Sequence, residues 1–408
     1  MLQGLSEWRV KLFGAVGLIF LLVYPFDEAY LLSVFLLLVL GALSAKTIYR
    51  TWDAELNWTI YLGLLIAVPL LLTLVFAVNK EETFNDVLRF SLLGFVSALF
   101  VWHFRFGFSP FRWMLVFFGF QLFWIFDALL QYFSGANLLG NPMVSGRLTG
   151  LWYPGIIVGT VIAHSAPIFI EMVRRLAIRG GWFRLSWLLI LPMLTVILLG
   201  GSRASWLAFL VAMTLYAFYL FWIKAISIKW LVTGVLLSIA AVLIMYQLMP
   251  EFRARADNTL QLFTWDYEFM NSATSGRLPI WYAAWMTFIE NPWVGVGSDA
   301  VKDYAAARNW EGMWVRYAHM FVLDVLSMTG IIGFIGYAIF YSILMGHTWQ
   351  SLKNRWDLTT VMFICALVMA FPLNTHFGFY NFRPVGLMWA FIALAYAFRL
   401  SERSKAAV

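Results

Sequence analysis

Residues 185–223 form one apolar stretch of 39 residues, broken only by Gly200, Gly201, Ser202 and Arg203. At 1.5 Å per residue a single helix of that length would reach about 58 Å, nearly twice the roughly 30 Å of bilayer hydrocarbon. The stretch is therefore expected to be a hairpin of two membrane spans with Arg203 at its tip. Composition agrees. The 408 residues are 62% apolar and 12% charged, with a mean hydropathy of +0.80, whereas soluble domains carry about 25% charged residues to cover a wet exterior. The expected fold class is an all-α polytopic membrane protein.

Twelve apolar runs approach the length of a span: 12–26, 30–45, 59–78, 87–104, 113–133, 156–173, 185–202, 204–223, 230–249, 320–346, 358–374 and 385–400. The first follows Arg9 and Lys11 but has no small-residue cleavage site after it, so it is expected to be a retained span and not a signal peptide. With both termini cytoplasmic, 17 of the 28 Lys and Arg residues fall on inner segments. That bias fits the orientation rule, and six of the eleven outer cations lie in one long loop, where the rule has little force. The expected organisation is nine spans over 1–249, an outer loop region over 250–319, and three spans with a short tail over 320–408. Residues 134–155 and 375–384 make shorter outer loops. Within the long one, 277–290 carries Ile280, Ala283, Ala284 and Phe288 at helical spacing, which predicts an amphipathic helix lying along the interface. NPWVGVG (291–297) then breaks it. The lone Cys365 excludes an intramolecular disulfide and a multi-cysteine metal site.

Nine of the eleven outer cations are Arg, whose planar fork matches phosphate oxygens bidentately. Arg147, Arg203, Arg277 and Arg383 stand near span boundaries or turn tips, where an anionic partner is expected: a substrate phosphate, a lipid headgroup or an outer carboxylate. His319 sits where the long loop enters the tenth span, and a neutral imidazole there is a candidate general base for a hydroxyl; a helix-terminal His bonded to a carbonyl is the structural alternative. His376 is the weaker outer candidate, and His164, inside a span, is expected to pack. Asp266 and Glu268 resemble an acidic pair that holds a divalent cation, although acids in a polar loop are usually just solvated. Asp127, Glu171 and Asp324 are ionisable groups within spans, where such groups tend to be functional. GVGSDA (295–300) has no strand before it, which excludes a dinucleotide loop.

Three segments carry a family resemblance: SRASW (202–206), SGRLPIWYAAWM followed by NPWVGVG (275–297), and HMFVLDVLSMTGIIG (319–333). RLTGLWYP (147–154) is a looser fourth. In order and spacing they make the chain resemble the O-antigen ligases and polymerases of Gram-negative bacteria, and most closely the ligases. The matching positions are Arg203, Arg277, Trp281, Pro292, Gly295, Gly297, His319, Gly330 and Gly333. The chain departs from the pattern at Met320 and Met328, where the family often has Asn and Glu.

The resemblance implies a glycosyltransferase at the periplasmic face of the inner membrane. It would move a finished glycan from undecaprenyl pyrophosphate to a hydroxyl of lipid A-core, without metal or other cofactor, and invert the anomeric centre. On that reading His319 is the base, and Arg147, Arg203 and Arg277 stabilise the pyrophosphate. Arg308, Arg316 and Arg383 are secondary phosphate contacts, while Trp152, Tyr153 and Trp310 stack on sugar rings or anchor in the interface. Partners are the lipid-linked donor, the lipid A-core acceptor and membrane lipids, with no nucleic acid. An O-antigen polymerase shares the motifs, a protein oligosaccharyltransferase of related fold would carry a larger extramembrane C-terminal region, and a lipid-linked-glycan flippase would also be polytopic. Flippases and transporters tend to place their binding groups on broken helices in repeated halves, and no internal repeat is visible.

Overall fold

A computed structural model describes residues 7–26, 29, 31–104, 109–200, 202–248, 250–310, 316–375, 377–380 and 382–406. His376 lies outside the described residues, and so does the side chain of Arg383. The described chain is helical without a strand. Its helices are α1 (Glu7–Val23), α2 (Leu31–Leu43), α3 (Ala45–Arg50), α4 (Ala54–Thr73), α5 (Lys80–Phe104), α6 (Pro110–Ser134), α7 (Val158–Ala177), α8 (Ile190–Leu199) and α9 (Arg203–Trp222). There follow α10 (Ile228–Leu248), α11 (Pro250–Leu260), α12 (Tyr267–Ala273), α13 (Leu278–Glu290), α14 (Val301–Ala306), α15 (Phe321–Lys353), α16 (Asp357–Met369) and α17 (Phe382–Ala406).

Each of the twelve apolar runs overlaps a helix, yet among the described residues seven helices are long and apolar enough to cross a membrane: Ala54–Thr73, Lys80–Phe104, Phe111–Ser134, Gly181–Leu199, Arg203–Trp222, Phe321–Lys353 and Val385–Arg403. The shortfall has physical causes. Helices α2 and α16 have only 13 residues each, about 20 Å of rise. Helix α7 brings Glu171, Arg174 and Arg175 into its last two turns. Both α7 and α16 lie at the centre of the bundle, and every residue of α16 from Leu358 to Met369 is buried. Close approach elsewhere depends on small residues. A Cβ on Gly63 would lie 2.9 Å from the Phe90 carbonyl oxygen, so α4 and α5 meet backbone to backbone there.

The 185–223 stretch does break after Leu199, as its length requires. A 3-10 helix over Gly181–Leu189, which takes in the first five residues of the stretch, leads into α8. Ser202 is extended (φ −94°, ψ 118°) and Arg203 is the first helical residue of α9. The two arms do not zip together along their length; α9 packs mainly on α7. The α7–α8 contact is tight because Gly159 faces Gly200, where an added Cβ would come within 3.2 Å of the opposing Cα.

Residues 250–319 are bound into the bundle. Helix α13 buries Ile280, Ala283, Ala284 and Thr287, an i, i+3, i+4, i+7 stripe, and packs on α15. Thr287, not Phe288, completes that face because the stripe returns after seven residues. The loop after α13 then joins α15 by backbone hydrogen bonds: Val296 N to Ser327 O (3.1 Å), Gly297 N to Met328 O (2.9 Å), Ile331 N to Pro292 O (2.8 Å) and Ile332 N to Trp293 O (3.3 Å). Helix α15 breaks at Gly330 (φ 63°, ψ −161°) to allow it. A Cβ on Gly330 or on Gly295 would sit 2.4 Å from the other segment's backbone. This contact gives NPWVGVG and Gly330 a common purpose: two chain segments exchange main-chain bonds where no side chain fits.

Candidate functional site

Four arginines from four segments gather at one end of the bundle. The segment that presents Arg147, residues 135–152, is held from below by α6. Gln131 Oε1 accepts from the backbone N–H groups of Thr149 (2.9 Å) and Gly150 (3.0 Å), while its Nε2 donates to the Asn141 and Pro142 carbonyls and to Thr149 Oγ1. Asp127 accepts from Leu138 N (2.9 Å), and Asn137 Nδ2 donates to Gly150 O (2.7 Å). Asp127 thus orders a loop, a role that the sequence left open. Val144 and Arg147 pair across the loop's tip, and Leu148 N donates to Leu199 O (3.5 Å). That last bond brings Arg147 to the break from which Arg203 starts α9.

Arg203 Nη2 donates to Ser275 Oγ at 2.6 Å. Ser275 and Gly276 are both left-handed (φ 61° and 75°), so the SGR triplet is the turn that lets Arg277 begin α13 next to Arg203. Burial first, and then the positive charges of Arg203 and Arg147, hold the Arg277 guanidinium below its usual value. Arg147 is held down in the same way by burial and then by Arg255 of α11. Among the described residues none of the four has a carboxylate within ion-pair distance. The Nη1 of Arg203 is buried without a hydrogen-bond partner. Like charges gathered at partial burial destabilise one another, and an anion of two or more charges placed among them would reverse that cost.

The backbone just before His319 is tied to α13, the helix that Arg277 begins. Trp281, one turn into α13 from Arg277, donates from Nε1 to Ala318 O (3.0 Å). The buried Asp324 carboxylate accepts from Ala318 N (2.5 Å) and from Phe379 N (3.0 Å), clamping the segment before His319 to the loop before α17. Asp324 therefore acts on the main chain next to the imidazole. His319 itself adopts a left-handed conformation (φ 53°), which is strained for a residue with a side chain and persists only where the surroundings impose it. Its ring stands edge-on to Tyr317 at 4.6 Å. Tyr317 in turn covers Gly378, where a Cβ would be 2.6 Å from that ring.

The other expected positions are placed differently. Arg308 pairs with Glu290 (2.6 Å) and lies 3.5 Å over the Tyr304 ring, and Arg316 pairs with Asp299 (2.9 Å). Trp152 is 2% exposed and packs on Trp124 and Tyr24, so its ring faces the core; Tyr153 beside it is exposed. Trp310 lies near Arg308. Arg383 opens α17. Asp266 caps α12 by accepting from Phe269 N (3.1 Å). His164 is buried, with Nδ1 2.7 Å from Thr160 O and Nε2 3.1 Å from Asn374 Nδ2. Among the described residues no three His, Cys, Asp or Glu side chains converge. Arg255, which the sequence offered only as one outer cation among eleven, joins the cluster because α11 folds back on the bundle; no local motif marks it.

Residues 188–338, less than half of the chain, match the family model described as O-antigen ligase. The matched segment contains Arg203, Arg255, Arg277, Trp281 and His319. Arg147 lies before it. No curated protein matches the chain.

Proposed function

From the O-antigen ligase segment as premise, we propose that this protein is a lipid-linked-glycan transferase of the ligase type. It transfers a glycan from undecaprenyl pyrophosphate to a hydroxyl of lipid A-core at the periplasmic face of the inner membrane, with twelve helices in the membrane and both termini cytoplasmic. The observation that carries this reading is the gathering of Arg147, Arg203, Arg255 and Arg277, without acidic partners among the described residues, at the start of the helix that clamps the backbone before His319.

The pyrophosphate oxygens lie among the guanidinium groups, and the unpartnered Nη1 of Arg203 is one donor to them. His319 takes the proton from the acceptor hydroxyl as its oxygen attacks the anomeric carbon. The bond from that carbon to the pyrophosphate oxygen breaks, the electron pair leaves with undecaprenyl pyrophosphate, and the configuration inverts. Preorganised donors aimed at the leaving group's growing charge supply most of the acceleration. The reaction needs no divalent cation on this reading. Arg308, Arg316 and Arg383 make secondary phosphate contacts, and Tyr153 provides an exposed ring for a sugar; for Arg308 and Arg316 that requires exchange from Glu290 and Asp299.

The test is transfer by purified protein in lipid, with EDTA present and with lipid A-core and a second lipid-linked glycan both offered as acceptors. Product on lipid A-core supports the ligase, product on the second glycan replaces it by a polymerase, and loss of transfer with EDTA removes the metal-free scheme. Full transfer by His319→Ala protein would remove the proposed base.

A further inference from the structure

The segment 250–277 is tied to the ends of two apolar helices. Arg203 opens α9, one of the seven helices able to span, and it bonds Ser275 at the end of this segment. One turn deeper in α9, Trp206 meets Phe252 of α11 at 5.2 Å between ring centroids, and Phe252 is buried. On the other side Tyr246, within α10, donates to Asp257 of α11 at 2.5 Å, so α11 doubles back along the last turn of α10. Three contacts, to 203, 206 and 246, therefore fix the segment at the depth of the ends of two apolar helices.

At that depth it exposes an apolar edge: Leu260, Phe263, Trp265, Tyr267 and Phe269. Phe263 is 75% and Trp265 89% exposed, values unusual for large rings that contact only water. Trp265 adopts φ 58°, a conformation unfavourable for a bulky residue, and its ring projects outward. Helix α10, to which α11 is bonded, likewise exposes Leu236, Ile239, Leu243 and Leu248. Aromatic rings prefer the layer where headgroups meet acyl chains. Asp266 and Glu268 interrupt the edge and are exposed, which limits how deeply it can enter.

We infer that residues 260–269 are seated in the membrane, with Phe263, Trp265, Tyr267 and Phe269 in the headgroup–acyl boundary of the leaflet next to the arginine cluster. The partner of this surface is bulk phospholipid. Its consequence for the site is directional: helix α12 runs from this edge straight to Ser275 and Arg277, so a lipid-anchored ligand reaches the cations sideways from the leaflet. The seating itself is independent of any transfer reaction.

The experiment places one nitroxide label at a time through Phe263→Cys, Trp265→Cys and Phe269→Cys in full-length protein that also carries Cys365→Ala, reconstituted in phosphatidylethanolamine and phosphatidylglycerol vesicles. Collisions with oxygen and with a water-soluble nickel chelate are compared. Labels at 263 and 265 are expected to collide several-fold more with oxygen than with nickel. A label introduced by Asn309→Cys, at an exposed position beyond α14, is expected to show the reverse. If the labels at 263 and 269 behave like the one at 309, the inference is overturned, even where the Trp265 variant does not fold. The readout requires no activity, so failure of the proposed reaction leaves it standing.

Discussion

The protein treats two clusters of partly buried arginines in opposite ways. At the end away from the site, Glu171 takes Arg174 at 2.8 Å, Arg175 at 2.6 Å and the Tyr216 hydroxyl at 2.8 Å. There too, Glu55 takes Arg399 at 3.4 Å and also pairs with Arg403. Each buried carboxylate gathers two guanidiniums. At the site end Arg147, Arg203, Arg255 and Arg277 gather with no carboxylate among the described residues. The Glu55 pairs tie α4 to α17, and Glu171 neutralises two arginines of its own helix while accepting from Tyr216 of α9. Unpaired charges at similar burial cost stability and are kept where a ligand supplies the missing charge.

Substitutions that reverse this asymmetry test it, the largest effect being expected at the imidazole. His319→Ala is expected to lower glycan transfer by roughly 100- to 10,000-fold, the range of a lost general base, with the thermal midpoint little changed. Arg277→Gln is expected to cost roughly 100- to 1,000-fold in transfer, as for one lost oxyanion donor, and yet to raise the midpoint of the ligand-free protein by ~1 °C. The sign follows from linkage: a base whose folded-state value is depressed opposes folding while it is charged, and burial with two like charges depresses Arg277. A lowered midpoint in Arg277→Gln would break the comparison. Glu171→Gln is expected to do the opposite, leaving transfer within a few fold but destabilising the protein by about 3 kcal/mol or more, because two guanidiniums lose their buried partner. Least of all, Arg308→Ala is expected to leave the thermal midpoint nearly unchanged, since its pair with Glu290 is exposed and screened by solvent. A transfer defect there would support its proposed secondary phosphate contact, and unchanged transfer would reduce Arg308 to surface pairing.

Much of this arrangement was legible in the sequence, for different reasons in different places. The break of 185–223 near Arg203 followed from length alone, since 39 apolar residues cannot cross once. The buried stripe of α13 followed from helical periodicity, with Thr287 in place of Phe288 as its last member. Asp127 and Asp324 read as ionisable groups in spans, but their work is to hold backbone N–H groups of loops, at Leu138 and Ala318 nearby in sequence and at Phe379 55 residues on. Trp152 looked like a ring for stacking and lies in the core, because a residue beside a span can face either way and periodicity is silent in a three-residue 3-10 turn. Arg255 carried no local signal at all.

What the residues determined by themselves is therefore the solvent of the fold and its local breaks. Hydrophobic length, glycine placement and helical spacing act over a few turns and need no partner. What only the tertiary structure decided is which charges meet. Glu171 closes on arginines three and four residues away on its own helix, within reach of sequence spacing. Arg147, Arg203, Arg255 and Arg277 come together across 131 positions, and only the packing of α6, α9, α11 and α13 sets whether such charges find an acid or wait for an anion.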